Sequence, residues 1–175
     1  MKCGSCYLAI HMFMDPALKD RFGPDFIRAV GAQGPAVYAD VNVMLDRVIA
    51  GEVDIAYWVF ESGAIAKWRQ GAPIRWVHPK PTPLASTVFQ GVSTYAPSPN
   101  AARLFQNWTY SQKGQAAYQT LYGSGPLLSG ASDTREVNKQ DWYDVLTQPY
   151  HPNFDRWAQN FDKDMSLWIN SIRPK

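Results

Sequence analysis

Cysteine is scarce in this sequence. There are two, Cys3 and Cys6, alongside three histidines. With no histidine near the cysteine pair, a zinc site lacks donors, and no metal or other cofactor is expected. No block of lysine or arginine stands behind the formal net charge of +2, which argues against a nucleic-acid surface. No apolar run approaches the roughly 20 residues of a membrane span. The opening MKCGSC has neither an apolar h-region nor a cleavage site, so it reads as no signal peptide. Taken literally this means a cytoplasmic chain, and it is equally what a fragment shows. A glycine-rich phosphate loop is also missing. His78 and His151 sit beside prolines, and nothing near them in sequence completes a Ser-His-Asp or metal set. There is thus no positive sign of an enzyme.

What the chain does have is apolar and aromatic material. At 175 residues and 46% hydrophobic content it suffices for one large domain or two small lobes. Its 7 Trp and 9 Tyr suit a ligand or partner surface, although core packing alone also uses them.

The most legible stretch is Val41 to Pro79. Val41, Met44, Leu45, Val48 and Ile49 follow the i, i+3, i+4, i+7, i+8 spacing of a helix with one buried face. Asp40 can cap its start. Gly51 can end it, because glycine enters the left-handed conformation at little cost. Val53 to Phe60 is apolar or aromatic on both faces except at Asp54, as in a parallel strand covered on both sides. Ser62 can cap a short helix running through Gln70, which Gly71 stops. Pro73 to Val77 reads as the next strand, ended by Pro79. Helices alternating with strands at this spacing predict an α/β fold, a parallel or mixed sheet flanked by helices.

The flanks add helices. Gly4 to Met14 is predicted helical with Ser5 as its cap, followed by a short helix from Asp25 to Val30 and a short strand from Ala36 to Ala39. Lys80 to Leu84, KPTPL, is an extended connector. Ser86 to Tyr95 alternates loosely and reads as one or two strands. Ser98-Pro99 opens a helix with Ala101, Leu104, Phe105 and Trp108 on one side. Ser111 caps another, with Ala117, Tyr118 and Leu121 inward, ending at Gly123. A long amphipathic helix from Phe154 to Ile172 closes the chain.

Three segments together resemble a known family. Ile49 to Ala56 (IAGEVDIA), Gln70 to Pro79 (QGAPIRWVHP) and Ala96 to Gln115 match, in order and spacing, the second half of type II periplasmic solute-binding proteins. These are the substrate-binding components of ABC importers. The chain looks closest to the extracellular solute-binding family 1 group, which includes ferric-iron, thiamine, polyamine and phosphonate binders. The resemblance implies a C-terminal half of a two-lobed protein. Residues 1–79 would form most of the second lobe, 80–84 the hinge, and 85–175 part of the first lobe. It further implies a non-enzymatic function, capture of a small polar organic solute in a cleft between lobes and its delivery to permease subunits. The intact protein would be exported, to the periplasm or as a lipid-anchored protein outside the cell. A surface left by a missing half could support a homodimer.

Candidate site residues follow from both sources. Ser5, Cys6 and Tyr7 lie where the family places a helix N-terminus toward the cleft. Free N–H groups there favour an anion, and ordinary capping is the competing reading. Asp40 opens a second such helix, again with capping as the alternative. Tyr57, Trp58 and Glu61 lie at the end of the predicted central strand. An aromatic ring there can stack on a ring or cation, and Glu61 can pair with an amine. The ferric binders carry adjacent tyrosines near the place of Glu61 and Ser62. Neither is tyrosine here, which points to an organic solute instead of iron. A different class of reading uses Cys3-Gly4-Ser5-Cys6 as a redox or metal-binding pair in a small α/β domain. No strand precedes it as thioredoxin-like chemistry requires, so a disulfide or bystander thiols fit better.

Overall fold

The computed structural model describes residues 4–83, 90–126, 130–146 and 149–172, with side chains from residue 9 onward. Its helices are α1 (Gly4–Phe13), α2 (Pro24–Ala32), α3 (Val41–Ile49), α4 (Glu61–Arg69), α5 (Pro99–Thr109), α6 (Gln112–Tyr122) and α7 (Phe154–Ile172). Two short strands, β1 (Thr82–Pro83) and β2 (Pro149–Tyr150), pair in parallel with Thr82 opposite Pro149.

This overturns the expected α/β layer fold. The chain is 52% helix and 3% strand, and the two-stranded pair is the extent of sheet among the described residues, so this is not a sheet-rich binding-protein lobe. The reason lies in the two segments read as central strands. Residues 53–59 make no backbone–backbone hydrogen bond among the described residues. At Trp58 the backbone turns left-handed, with φ of 61°. Residues 74–79 do alternate in burial, with Ile74 and His78 inward and Arg75 and Val77 outward, yet they too have no ladder among the described residues. Apolar alternation makes a segment able to be a strand. Only a neighbour donating and accepting hydrogen bonds makes it one. Residues 36–39 are not a strand either, and the predicted 80–84 connector instead contributes β1. Of the one or two strands predicted over 86–95, residues 86–89 lie outside the described residues, and 90–95 are not strand but a loop ending in a turn.

Helix signals fare better because they are local. Asp40 caps α3, its carboxylate accepting from the N–H of Asn42 at 2.6 Å and of Val43 at 3.3 Å. Ser111 caps α6 by accepting from Gly114 at 3.1 Å. Ser62 does not cap α4; it sits within the helix, whose N-cap is Phe60. Ser5 likewise lies inside α1.

The main core joins α1, α2 and α7. Ala9, Ile10, Met12, Phe13, Ile27 and Tyr150 are buried, and Trp58, Trp157, Phe161, Met165 and Trp168 pack on them. A second cluster gathers Leu45, Ala64 and Ile74 with Val48, Val59 and Trp76. The left-handed turn sends Trp58 to one cluster and Val59 to the other. A polar tie runs through the first cluster. Arg156 of α7 donates to His11 Nδ1 at 3.0 Å and to the carbonyl oxygen of Met14. Tyr150 donates to Asp15 at 2.6 Å. A ring nitrogen that accepts from a guanidinium must be unprotonated. Burial, and then the Arg156 charge, push the His11 pKa below its ordinary value.

Candidate functional site

The densest group of interacting charges lies where α4 begins. Three side chains distant in sequence, His78, Arg135 and Tyr143, converge on the Glu61 carboxylate. Its Oε1 accepts from Arg135 Nη1 at 2.6 Å and from the Tyr143 hydroxyl at 2.5 Å. His78 Nε2 stands 3.7 Å from Oε2. The other His78 nitrogen, Nδ1, lies 2.7 Å from the Asp144 carbonyl oxygen. A carbonyl only accepts, so Nδ1 carries a proton. Nε2 is left facing a carboxylate, and an ion pair forms when it too is protonated.

Arg135 is the hub. Its guanidinium grips Asp133 through Nε at 2.9 Å and Nη2 at 2.6 Å. It also donates to Tyr143 Oη at 2.8 Å and to the Gly123 carbonyl oxygen at 3.0 Å. Gly123 ends α6 with φ of 80°, a conformation in which a side chain is strained. The Gly123 carbonyl just past the end of α6 thereby meets the guanidinium. Every N–H of the fork therefore meets an acceptor.

The pKa values follow from this wiring. Burial works to raise the Glu61 pKa, but interactions with His78, Tyr143 and Arg135 hold it below the ordinary carboxylate value. Burial likewise opposes ionisation of Asp133, and Arg135 overrides it. Burial alone would lower His78, yet Glu61 and the Asp144 carbonyl raise it. Burial and the Glu61 carboxylate push Tyr143 upward, so it stays a neutral donor. Chemically the cluster is a satisfied ion network that pins three loops to α4. None of its carboxylate or guanidinium groups is left as an idle acid or base.

This yields a pH prediction. A histidine whose folded pKa is raised gives stability that is full below the unfolded value of 6.5 and lost as pH climbs through the folded one. His78→Gln is expected to cost about 1.5–3 kcal/mol at pH 6, the usual worth of a charge-assisted hydrogen bond, and progressively less at higher pH. Urea unfolding across that range measures it, and a cost independent of pH would refute it. His11 works in the opposite sense. Its folded pKa is lowered, so its contribution is lost as pH falls below 6.5.

Beside the network is a shallow cavity of about 240 Å³, lined by Ile65, Arg69, Gln119, Thr120, Gly123 and residues 134–137. A neighbour of about 210 Å³ runs along α6 past Gln112, Gln115 and Ser132. Both are smaller than the ~300–1,000 Å³ typical of ligand pockets. Gln119 lies between them, its Oε1 accepting from the Thr134 N–H at 2.8 Å and its Nε2 donating to Ser132 at 3.1 Å. Among the described residues no group of His, Cys, Asp and Glu is arranged to hold a metal ion.

The sequence-derived candidates are dispersed. Ser5, Cys6 and Tyr7 lie in α1, and their side chains are outside the described residues, as is Cys3. Asp40 acts as a helix cap. Tyr57 and Trp58 stay together, rings 6.2 Å apart and edge to face. Tyr57 is 53% exposed, while Trp58 packs on Trp168 at 4.4 Å. Glu61 is a genuine focus, but its amine partner is the protein's own Arg135. Sequence reasoning missed Arg135, Asp133 and Tyr143, and it found no partner for His78. These residues are separated from Glu61 by up to 82 positions, and no spacing rule reaches that far. No helix among the described residues is long and apolar enough to cross a membrane. Neither a family model, nor a curated protein, nor a solved structure matches this chain.

Proposed function

We propose that this chain is the substrate-binding component of an ABC importer, which captures a small polar organic solute and hands it to membrane permease subunits outside the cytoplasm. The observation that supports the reading is the strained turn at Trp58. A tryptophan with φ of 61° costs about 1–3 kcal/mol, and such strain persists where the surroundings over-determine it and tends to collect at ligand sites. Here the Trp58 ring is held against Trp168 and Phe13. The consequence is that Tyr57 presents its ring to solvent. An exposed aromatic face stacks on a planar or cationic solute. Glu61 is not the amine contact in this reading, because Arg135 and Tyr143 occupy its carboxylate.

The test is native mass spectrometry of the purified chain, followed by titration of the retained molecule. A solute seen only under native conditions is the expected result. Tyr57→Ala should then weaken its binding about tenfold, or about 1.4 kcal/mol, with unchanged circular dichroism. Absence of any retained or titratable solute would sink the proposal. Undiminished binding by Tyr57→Ala would move the site away from this turn.

A further inference from the structure

We infer that the contact between His11 and Arg156 is an acid-released latch, which holds the first turn of α7 on the end of α1 until His11 gains a second ring proton. His11 is wholly enclosed, at 0% exposed. The Trp157 ring of α7 stands 5.7 Å from it and the Tyr150 ring of β2 6.2 Å. Arg156 lies in the first turn of α7, where its own N–H donates to the Asn153 side chain at 2.9 Å. Its guanidinium reaches α1 and the residue after it three times. It donates to His11 Nδ1 at 3.0 Å, to the His11 carbonyl oxygen at 3.3 Å and to the Met14 carbonyl oxygen. The end of a helix leaves carbonyls without partners inside it, and a cation there satisfies them. Arg156 is thus a cap for α1 supplied by another helix.

One proton decides whether this contact can exist. A neutral imidazole has one accepting nitrogen, and an imidazolium has none. A guanidinium stays charged and only donates. Protonation of His11 therefore breaks the bond at Nδ1 and sets two cations 3.0 Å apart, with little water to screen them. The surroundings act in both directions. Asp15, just past α1, favours the proton, as does the Asn153 backbone carbonyl, whereas burial and Arg156 oppose it and prevail. Asp15 is already engaged, accepting from Tyr150 at 2.6 Å and from the Ala17 N–H at 2.9 Å. Asp164 lies about two turns further along α7 than Arg156. In α2, Asp25 and Arg28 pair with each other at the surface.

Burial determines which partner yields. His11 has no route to water, whereas Arg156 is only half-buried and carries its charge on a long, flexible stem, so the guanidinium swings outward. The donors to the His11 and Met14 carbonyls leave with it, and α1 loses this cap. Trp157, the next residue of α7, then shifts on the His11 ring. The Tyr150–Asp15 bond does not involve the imidazole and remains as a second tie. The opening is therefore local. It frees the end of α1 and the start of α7 and leaves the core around Ile27 closed.

Hydrogen exchange of the whole chain tests this, measured from about pH 7.5 to about pH 5 and corrected for the intrinsic pH dependence of exchange. Amides of residues 11–15 and 155–158 should lose protection as pH falls below 6.5, by up to about tenfold per pH unit, the dependence set by a single proton. Amides of α6 should not follow. His11→Gln keeps an acceptor for Arg156 that does not titrate, and should abolish the dependence. Arg156→Met removes the cation, so the His11 ring should titrate at a higher pH by NMR than in wild type. Should His11→Gln fail to fold, the other two measurements still decide. Protection at these amides that is indifferent to pH, a dependence that survives His11→Gln, or a His11 midpoint that Arg156→Met does not raise, would overturn the inference.

Discussion

Arg135→Ala lowers the free energy of unfolding by about 3–5 kcal/mol, the cost of leaving a buried charge uncompensated. Two carboxylates, Glu61 and Asp133, lose their common partner. Arg135 is the main group that offsets the burial of Asp133, and it acts together with His78 and Tyr143 to offset that of Glu61. The Tyr143 hydroxyl and the Gly123 carbonyl also lose a donor. Much of the loss therefore reflects what remains buried, not the net worth of the pair. Two further variants separate these contributions. Arg135→Lys keeps the charge but not the planar fork, and should fall between wild type and alanine. Adding Glu61→Gln to Arg135→Ala removes one stranded charge and should recover part of the loss. Urea denaturation at pH 7 measures all three. A loss below about 1 kcal/mol for Arg135→Ala would mean the network behaves as an exposed surface pair.

Gly31→Ala destabilises the protein by about 2 kcal/mol, although alanine is the better helix former. Gly31 sits in α2 where the end of α7 crosses it. A Cβ at this position would lie 1.9 Å from the Ser171 carbonyl oxygen and 2.7 Å from its carbon. Backbone cannot swing aside as a side-chain tip can, so the helices must separate. Overpacking of this kind costs up to about 3 kcal/mol, against about 1 kcal/mol gained from helix propensity. The α2–α7 contact closes the main core over Ile27, so the separation is felt there. Gly63 provides the contrast. It lies inside α4, and its nearest neighbour would be Leu45 Cδ1 at an ordinary 3.6 Å. Gly63→Ala is expected to stabilise by up to about 1 kcal/mol. Thermal unfolding of the two variants should shift in opposite directions. Shifts of the same sign would show that the close approach at Ser171 is not what fixes glycine at position 31.

Part of the candidate site was legible in the sequence and part was not. Tyr57, Trp58 and Glu61 stood out as aromatic and acidic residues at the end of an apolar run, and all three proved structurally singular. One is exposed, one is in a left-handed backbone and one is the centre of an ion network. Their partners were invisible. Arg135 follows a Gly/Ser-rich loop with nothing to mark it, and Tyr143 looked like one of many aromatics. His78 was read as isolated because its partners, Glu61 and the Asp144 carbonyl, lie far from it along the chain.

The sequence by itself determined the helices. The bounds of α7 from Phe154 to Ile172, the Asp40 cap, the Ser111 cap and the Gly123 stop depend on hydrogen bonds within a few residues. Periodicity reports such bonds directly. The strands and the direction of each apolar face were decided only by tertiary structure. Residues 53–60 and 73–77 had strand character, but no adjacent segment among the described residues supplied a ladder. Leu104, Phe105, Trp108 and Leu121 had the right spacing for burial and still point outward. Helical spacing specifies which residues share a face, whereas what covers that face depends on partners elsewhere in the chain or beyond it. The same holds for Arg135, whose charge acquired meaning only when the fold brought two carboxylates to it.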